Sequence, residues 1–581
     1  MKRLLWIFTL AGILCGVSHA QITINQMPDV KQAHDIKLVT PGGYWKSSGT
    51  APNSPEALEA AILFGCYASV CHVSQTLDHV WVVAEENPRH PVSPDSVPYA
   101  QLRKSGALLQ TLDDYILGSY LRMAFPAHRG NAIPADRLAR HPSAKTPTKL
   151  LLNFRNCPSV REQRELTSLL GKTLSDGRLK NQVEFCSDDL SLCLALSDRF
   201  PDIPNTYMKG DLSPRELRRK GFTGGCAYDR NTLTEHPKWM QEAAALGMPV
   251  SVSGIRNADD VHEMVSARVD RIITDDLALA DAWARRKSVV KLMSFNIRMS
   301  GMPDLDGDNA WEKRKEAVVR MLKSESPDVF GVQEMLPDQQ KYLRERLTAY
   351  EMVGVGRDDG LEEGECMGVF YKKDRFALEE SGTFWLSETP NAPSLGWDAA
   401  CKRTVTYVHL KERKSGKGFF YFNTHLDHVG KIARQESVNL IADKIRAIVP
   451  DTHSVIILGG DMNSPLHDNI FAPWTGGNAT TARQDDADQI QNLQKKRAEA
   501  ATPMEKPSRT SRSLLRSCRN TAWQRDNAYT YTGFGKDKPS QIDHILATPA
   551  TESLIFRTVK NNFGAPYVSD HYPVTLTFTL E

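Results

Sequence analysis

Features that are scarce in this chain limit the classes of protein it can belong to. Its 72 Lys and Arg nearly balance 70 Asp and Glu, and a formal charge of +2 over 581 residues disfavours a surface that coats nucleic acid. None of the ten cysteines forms a Cys-x-x-Cys pair, so a zinc–thiolate site is not expected. Beyond the first twenty residues, no apolar stretch is long enough to cross a bilayer.

Residues 1–20 have the composition of a secretory signal. A basic start precedes a mostly apolar run over 4–17, and the small residues Ser18 and Ala20 stand before a cleavage site. The run is shorter than the about 20 apolar residues that a membrane span needs. We therefore expect a secreted or periplasmic protein with no transmembrane segment in the mature chain.

The cysteines leave two readings open. Cys66 and Cys71 are close in sequence, as are Cys186 and Cys193, so pairing in an oxidising compartment is one reading. Buried free thiols are the favoured reading for most of them.

The length predicts two or three domains. Residues 36–288 alternate strand-like runs, such as 149–154 and 271–274, with helical runs, such as 57–65 and 259–267. Repeated strand–helix units of this size predict a TIM-type (β/α)8 barrel.

A second domain is predicted over 291–581, where long irregular loops join the strands. A basic segment at 286–291 marks the boundary, and a helix is expected over 311–324. The polar stretch at about 475–512 is interpreted as a flexible insertion.

Six short segments of the second domain share one pattern, in which Asn, Asp, Glu or His stands at or just past the end of an apolar run. They are SFNIR at 294–298, VQE at 332–334, NTHLD at 423–427, GGDMN at 459–463, QIDHI at 541–545 and SDHYPV at 569–574. Strand ends can direct several polar groups into one pocket, which is what a metal-assisted phosphoester hydrolase requires.

The residue types in these segments suggest roles. Carboxylate and amide oxygens at Glu334 and Asn296 suit a hard cation such as Mg²⁺. Asp461 is placed to orient and deprotonate a water, and Asn463 to donate to a phosphoryl oxygen.

Two histidines complete the candidate set. His425 and His571 can stabilise charge that develops on the phosphoryl oxygens. Asp543 or Asp570 can fix the tautomer of His571.

Together the six segments resemble the endonuclease/exonuclease/phosphatase family over about 291–581. The resemblance implies a four-layer α/β sandwich and a bound Mg²⁺ or Mn²⁺. It implies three metal-site residues, which are Asn296, Glu334 and Asp570. It implies catalytic roles for five more, which are His425, Asp461, Asn463, Asp543 and His571, with Asp543 orienting His571.

The first domain resembles the glycerophosphodiester phosphodiesterase family without its chemistry. Residues 41–43 are Pro-Gly-Gly where that family has His-Arg-Gly. Its Glu-x-Asp metal pair corresponds to Ser69 and Cys71, its next histidine lies near Glu85, and a barrel glutamate corresponds to Arg155. We expect a pseudoenzyme in which Arg155 either binds an anion or pairs with Glu85.

The substrate is the least determined part of the prediction. Trp385, Trp397 and Arg403 are candidates for the pocket mouth, and Trp397 and Arg403 are the predicted substrate-binding residues. Both tryptophans are equally compatible with core packing.

The favoured function is a secreted metal-dependent phosphoester hydrolase, either a phosphodiesterase or a phosphatase, with small phosphodiesters or lipid headgroups slightly favoured over nucleic acid. A secreted nuclease is possible but not favoured, because no strongly basic surface interleaved with aromatic residues is evident. A surface protein that binds phosphorylated glycans or lipid headgroups is the alternative from another class.

Overall fold

The structure is a computed structural model that describes residues 36–48, 51–84, 93–104, 109–124, 148–155, 159–175, 177–285, 287–449, 451, 453–475 and 514–580. The predicted signal at 1–20, Glu85, and the predicted insertion beyond Thr475 lie outside the described residues.

Eight parallel strands close into a barrel in the first half of the chain. Their order is β1-β10-β9-β8-β7-β6-β5-β2, and β2 pairs with β1 to close the ring, which confirms the predicted TIM-type barrel. Strands β3 and β4 extend β2 in antiparallel fashion. The bounds are β1 Lys37–Pro41, β2 Ala68–Gln75, β3 Trp81–Ala84, β4 Leu109–Thr111, β5 Lys149–Phe154, β6 Val183–Ser187, β7 Asn205–Tyr207, β8 Gly225–Asp229, β9 Val250–Ser253 and β10 Arg271–Ile273.

Helices surround the barrel, and local sequence fixes where several of them begin. Ser159 and Glu162 form a reciprocal capping box at the start of the helix Val160–Thr173, which buries Leu166 and Leu170. The bounds are α1 Trp45–Ser48, α2 Pro55–Phe64, α3 Tyr99–Lys104, α4 Leu112–Ala124, α5 Val160–Thr173, α6 Gly177–Lys180, α7 Leu190–Arg199, α8 Pro214–Arg219, α9 Arg230–Glu235, α10 Lys238–Leu246, α11 Ala258–Ser266 and α12 Leu277–Ala284.

The structure corrects the two positions on β2, Ser69 and Cys71, that were predicted to correspond to a metal-binding pair. Cys71 does not face the barrel interior, because it packs in the outer core and its Sγ lies 3.4 Å from Tyr115 Oη on α4. Since side chains alternate along a strand, Ser69 shares that outward face. Val70 packs with Val39 and Leu151 of the neighbouring strands in a cluster inside the barrel. Val70 and His72, two residues apart on the strand, therefore face inwards.

At the carboxyl ends of β2 and β5, a histidine and an arginine are in contact. His72 Nε2 lies 3.1 Å from Arg155 Nη2, and His72 Nδ1 lies 3.2 Å from the Asn153 amide nitrogen. Burial, reinforced by the Arg155 charge, lowers the pKa of His72 to about 4. This face of the barrel therefore carries a neutral imidazole and a guanidinium.

Two sheets form the second half of the chain. One has the order β13-β14-β12-β11-β23-β22-β20, and the other β15-β16-β17-β18-β21-β19. The bounds are β11 Ser288–Asn296, β12 Val329–Met335, β13 Tyr350–Val353, β14 Cys366–Lys372, β15 Phe376–Trp385, β16 Thr404–Glu412, β17 Gly418–His425, β18 Val455–Asp461, β19 Arg516–Ser517, β20 Gln524–Arg525, β21 Asp543–Ala547, β22 Ser553–Thr558 and β23 Val574–Leu580.

The helices of this half lie on the outer faces of the sheets. Apolar side chains of both sheets, such as Leu292 and Ile457, pack between them. Outside, Met321 packs on the first sheet and Ile441 on the second, which confirms the predicted four-layer sandwich. The helix bounds are α13 Pro303–Asp306, α14 Trp311–Glu325, α15 Pro337–Arg346, α16 Lys431–Ile448, α17 Ala472–Thr475 and α18 Cys518–Thr521, with 3₁₀ turns at Pro94–Ser96, Gly307–Asn309 and Asn469–Phe471.

The sandwich packs directly on the barrel. Trp523, which is 6% exposed, belongs to the barrel's hydrophobic cluster, and its ring centroid lies 5.0 Å from that of Phe64 on α2. Gln524 donates to the carbonyl of Asp275 and to the carboxylate of Asp276. An apolar contact with polar bonds at its edge joins the two halves.

The cysteines of the described residues are all free thiols. Seven of the eight are buried, and Cys401 is half-buried. The possible pairings of Cys66 with Cys71 and of Cys186 with Cys193 are therefore not present.

In the part of the chain that the structure describes, no helix combines the length and the hydropathy that a span requires.

We predict that Trp523→Ala lowers the free energy of unfolding by about 3 kcal/mol, because deleting a buried aromatic ring leaves a cavity between the two halves. Chemical denaturation followed by circular dichroism measures this change. Val160→Ala is the control, since Val160 is 64% exposed, and it should have little effect. A loss below about 1 kcal/mol for Trp523→Ala would show that the contact is not a source of stability.

Candidate active site

The site lies where strands of the two facing sheets end. Strands β11 and β12 run parallel in one sheet, and β17 and β18 run parallel in the other. The Asn296 amide nitrogen, at the end of β11, lies 2.9 Å from Glu334 Oε1 and 3.0 Å from Asp461 Oδ2. One buried side chain thus connects a carboxylate of its own sheet with a carboxylate of the opposite sheet.

Backbone irregularities direct two of these side chains. Glu334 has φ +60° and sits where the register of β12 and β14 shifts between Val332 and Met335. Asn463 has φ +47° just after β18. Positive φ is uncommon for residues other than glycine, so the surrounding structure holds both residues in these conformations.

Asp461 is the buried carboxylate at the centre of the site. Besides Asn296, it accepts a hydrogen bond from the Asn463 backbone N–H at 2.9 Å. Burial raises the pKa of Asp461 to about 7, with Asp543 acting in the same direction and His571 against it. A carboxyl with this pKa is suited to accept a proton near neutral pH.

Asp543 orients His571, and Asp570 does not. His571 Nδ1 lies 2.8 Å from Asp543 Oδ2, while its Nε2 lies 3.6 Å from Asp461 Oδ2. Burial favours the neutral ring, but the charges of Asp543 and Asp461 outweigh it and hold the pKa of His571 well above its usual value. The ring is therefore a cation that points at the central carboxylate.

His425 has the opposite charge state. Its Nε2 lies 2.9 Å from the Asn463 amide nitrogen, which also donates to the Leu426 carbonyl at 2.9 Å. Burial, with Arg403 as the largest neighbouring charge, lowers the pKa of His425 well below its usual value. The neutral ring and the Asn463 amide form a polar wall of the site.

Asp570 stands at the edge of the cluster. Its carboxylate accepts a hydrogen bond from Ser569 Oγ at 3.1 Å and lies 3.9 Å from Arg298 Nε. Burial raises the pKa of Asp570, and the Glu334 carboxylate adds to that increase.

These residues fit a hard divalent cation. Ligand atoms of Glu334, His425 and Asp461 lie within 4.8 Å of one another. The crowded carboxylates are the type of donor that Mg²⁺ or Mn²⁺ prefers, and a cation would reduce their mutual repulsion. Asn296 faces Glu334 with its nitrogen while its oxygen accepts from the Arg298 backbone N–H, so it ligates only if its amide rotates.

The two predicted substrate-binding residues occupy different environments. Arg403 is 5% exposed and its Nε lies 3.3 Å from Asp427 Oδ2, and its role in substrate binding stays a prediction. Trp397 is half-buried with φ +47°, and its backbone N–H donates to the Glu388 carboxylate. Trp385 is 5% exposed, and its indole N–H donates to the Arg357 carbonyl at 2.7 Å.

Sequence reasoning missed the residues that hold the site in place. The Arg314 guanidinium is 1% exposed and donates to the carbonyls of Ile297, Arg298 and Val568, which joins the β11 exit to the segment before Asp570. No sequence signal marks it, because it lies in an ordinary amphipathic helix.

Asp427 and Gln333 are also positioning residues. Asp427 is 1% exposed and accepts from the backbone N–H groups of Val429 and Gly430. Gln333 donates to Asn423 Oδ1 at 2.6 Å across the two sheets. Both lie inside the six segments, so their positions, although not their contacts, were visible in the sequence.

The second half of the chain matches a known protein family. The model of the Endonuclease/Exonuclease/phosphatase family matches residues 293–571, which confirms the predicted resemblance. The endonuclease/exonuclease/phosphatase from Bacteroides vulgatus is 30% identical and covers 51% of this chain and 100% of its own, with a TM-score of 0.42.

Two further solved structures are similar. The mannosyl-6-phosphatase of Bacteroides thetaiotaomicron is 28% identical, covering 50% of this chain and 99% of its own, with a TM-score of 0.40. A glycerophosphodiester phosphodiesterase from Parabacteroides distasonis is 25% identical, covering 44% and 99%, with a TM-score of 0.36. The curated relatives are matched over 17% to 67% of their own length.

We predict that Glu334→Gln weakens the affinity for Mn²⁺ at least about tenfold, because it removes a charged oxygen ligand without changing the side-chain size. Isothermal titration of the metal-free protein measures the affinity. Glu362→Gln, at an exposed position, is the matched control and should bind as the parent does. Equal affinities of all three proteins would exclude Glu334 from the metal site.

Proposed function

Because residues 293–571 form a domain of the Endonuclease/Exonuclease/phosphatase family, we propose that this chain hydrolyses a phosphoester at the rim around Asp461. One observation carries the proposal. The Asn296 amide bridges Glu334 and Asp461 from opposite sheets, and the cationic His571 points at the same carboxylate. Charges so crowded and buried are costly for a protein that merely binds, and they are typical of catalytic sites.

Asp461 is the group that orients the attacking water. Its pKa of about 7 lets it take a proton from that water, while the Asn463 N–H and the Asn296 amide fix the direction of its oxygens. Attack then occurs directly at phosphorus, without a covalent intermediate on the protein.

The remaining polar groups stabilise the phosphoryl oxygens. The His571 ring supplies positive charge, and Asp543 keeps it in place. The Asn463 amide donates to His425 Nε2 and to the Leu426 carbonyl, so it reaches a phosphoryl oxygen only if it gives up one of these contacts. Glu334 and Asp570 would hold the cation, while the Asn296 amide keeps its hydrogen bonds to Glu334 and Asp461. A bound Mg²⁺ or Mn²⁺ supplies further positive charge to the phosphoryl group.

The surroundings of the site support a small phosphoester, such as a lipid headgroup, over a nucleic acid. The loop before Glu365, which adjoins β12, carries four exposed carboxylates at 358, 359, 362 and 363. Acidic side chains at the rim repel a polyanion, so a nucleic acid is disfavoured.

The barrel is proposed to be a pseudoenzyme that supports the sandwich or presents substrate to it. The pair of His72 and Arg155 supports this proposal, because a guanidinium cannot ligate a divalent cation. Activity outside the cytoplasm is likewise a proposal. It depends on the composition of residues 1–20.

We predict metal-dependent release of p-nitrophenol from an aryl phosphate ester by the chain from Gln21 onwards. Bis-p-nitrophenyl phosphate and p-nitrophenyl phosphate are assayed with Mg²⁺, Mn²⁺ or a chelator. His571→Ala should lower turnover at least about a hundredfold, since it removes the cation beside Asp461.

Two controls make this assay specific. His453→Ala, at an exposed position, should retain parental turnover, and so should Arg155→Ala in the barrel. Turnover by His571→Ala that equals the parent's would disprove the site. Turnover that is lost in Arg155→Ala would place the chemistry in the barrel.

A further inference from the structure

Two arginines adjoin the site, one on each sheet, and the mechanism above does not use them. The Arg357 backbone N–H donates to the Glu365 carbonyl, beside the bridge between Gly356 and Cys366. Cys366 also pairs with Met335, the residue after Glu334, so Arg357 lies near Glu334. Arg403 immediately precedes β16, whose pairing with β17 places it beside the end of that strand, where His425 stands. The chain thus has one guanidinium beside Glu334 and another beside His425.

Buried carboxylates hold both guanidinium groups in place. Arg357 Nη1 donates to Glu365 Oε2 at 2.7 Å, and the Glu365 side chain is 5% exposed. Arg403 Nε lies 3.3 Å from Asp427 Oδ2, and that side chain is 1% exposed. Arg403 Nη2 also lies 3.0 Å from His428 Nδ1. The arginines are therefore rigid parts of the site wall and not mobile surface cations.

Each arginine retains a buried donor that these contacts do not satisfy. Arg357 Nε and Arg403 Nη1 have no hydrogen-bond partner among the described residues, and neither does His425 Nδ1. Leaving a buried charged donor without an acceptor is costly, so proteins rarely do so without a reason. An oxygen-rich anion is the kind of ligand that satisfies donors on two guanidinium groups.

The charges of Arg357 and Arg403 act on residues of the site and on a residue beside it. Arg403 and Arg357 both contribute to the lowered pKa of His425, after burial itself. Both also lower the pKa of Glu365, which burial and Glu334 raise. The two arginines therefore lie within electrostatic reach of groups from both halves of the site.

We infer that Arg357 and Arg403 recognise the second negative charge of a phosphomonoester dianion, so that the site prefers a monoester to a diester. This inference rests on the proposed function and narrows its substrate class. A phosphomonoester carries a charge between about −1.5 and −2 at pH 7 and presents three terminal oxygens. A diester carries one charge and two such oxygens, which the His571 cation and the other polar groups around Asp461 can meet without the arginines.

The test compares kcat/KM for p-nitrophenyl phosphate and bis-p-nitrophenyl phosphate in the parent, Arg357→Gln and Arg403→Gln. We expect the parent to prefer the monoester. Each variant should lose about 10- to 100-fold on the monoester, the range for hydrogen bonds to charged groups, and less than about threefold on the diester. Arg446→Gln, at an exposed position on α16, is the control and should match the parent on both substrates.

The outcomes separate this inference from the function on which it rests. A parent that hydrolyses diesters better, or variants that lose both activities equally while still folded, would overturn the inference and leave the hydrolase intact. A parent that hydrolyses neither ester would overturn the proposed function and the inference with it.

A measurement on the parent protein avoids the problem of unfolded variants. Titration with inorganic phosphate and with dimethyl phosphate, in the presence of Mn²⁺, compares a dianion-forming ligand with a monoanion of the same core. Tighter binding of inorganic phosphate, by about tenfold or more, supports the inference. Equal affinities would contradict it.

Discussion

The Asn296 amide is the contact on which the arrangement of the site depends. It belongs to one sheet, yet it holds a carboxylate from each, Glu334 at 2.9 Å and Asp461 at 3.0 Å. Without a donor between them, two carboxylates this close, one of them fully buried, repel each other and one takes up a proton. With the donor in place and the His571 cation opposite, the carboxylates stay together at the rim. The four-layer fold makes this contact possible, because it brings the ends of β11, β12, β17 and β18 to one edge of the domain.

The sequence predicted the membership of the site better than its internal contacts. In segments such as GGDMN, a polar residue follows an apolar run, and this pattern indicates the end of a strand. The polar residues at strand ends could therefore be predicted as site residues. The carboxylate that orients His571 is Asp543, and it does so because β21 pairs antiparallel with β18. This strand pairing belongs to the tertiary structure and has no local sequence signal. Arg314 and Arg357 carry no local signal, since each acts through contacts with distant segments.

In the barrel, the predicted fold was accurate, and the positions assigned to the metal pair, Ser69 and Cys71, were wrong by one residue. Strand–helix alternation is a strong signal, so the eight-stranded ring could be predicted. Which residues of β2 face the barrel interior could not be predicted, because Ala68 to Cys71 are all buried and give no alternation of buried and exposed positions. Only tertiary packing shows that Val70 and His72 face inwards.

The most direct test of the central claim is hydrolysis in ¹⁸O-labelled water. An aryl phosphate is turned over by the protein with Mn²⁺, and the products are analysed by mass spectrometry. If a water oriented by Asp461 attacks phosphorus, one labelled oxygen appears in the phosphate product and none in the released phenol. Label in the phenol, or no turnover with Mn²⁺ or Mg²⁺, would contradict the account.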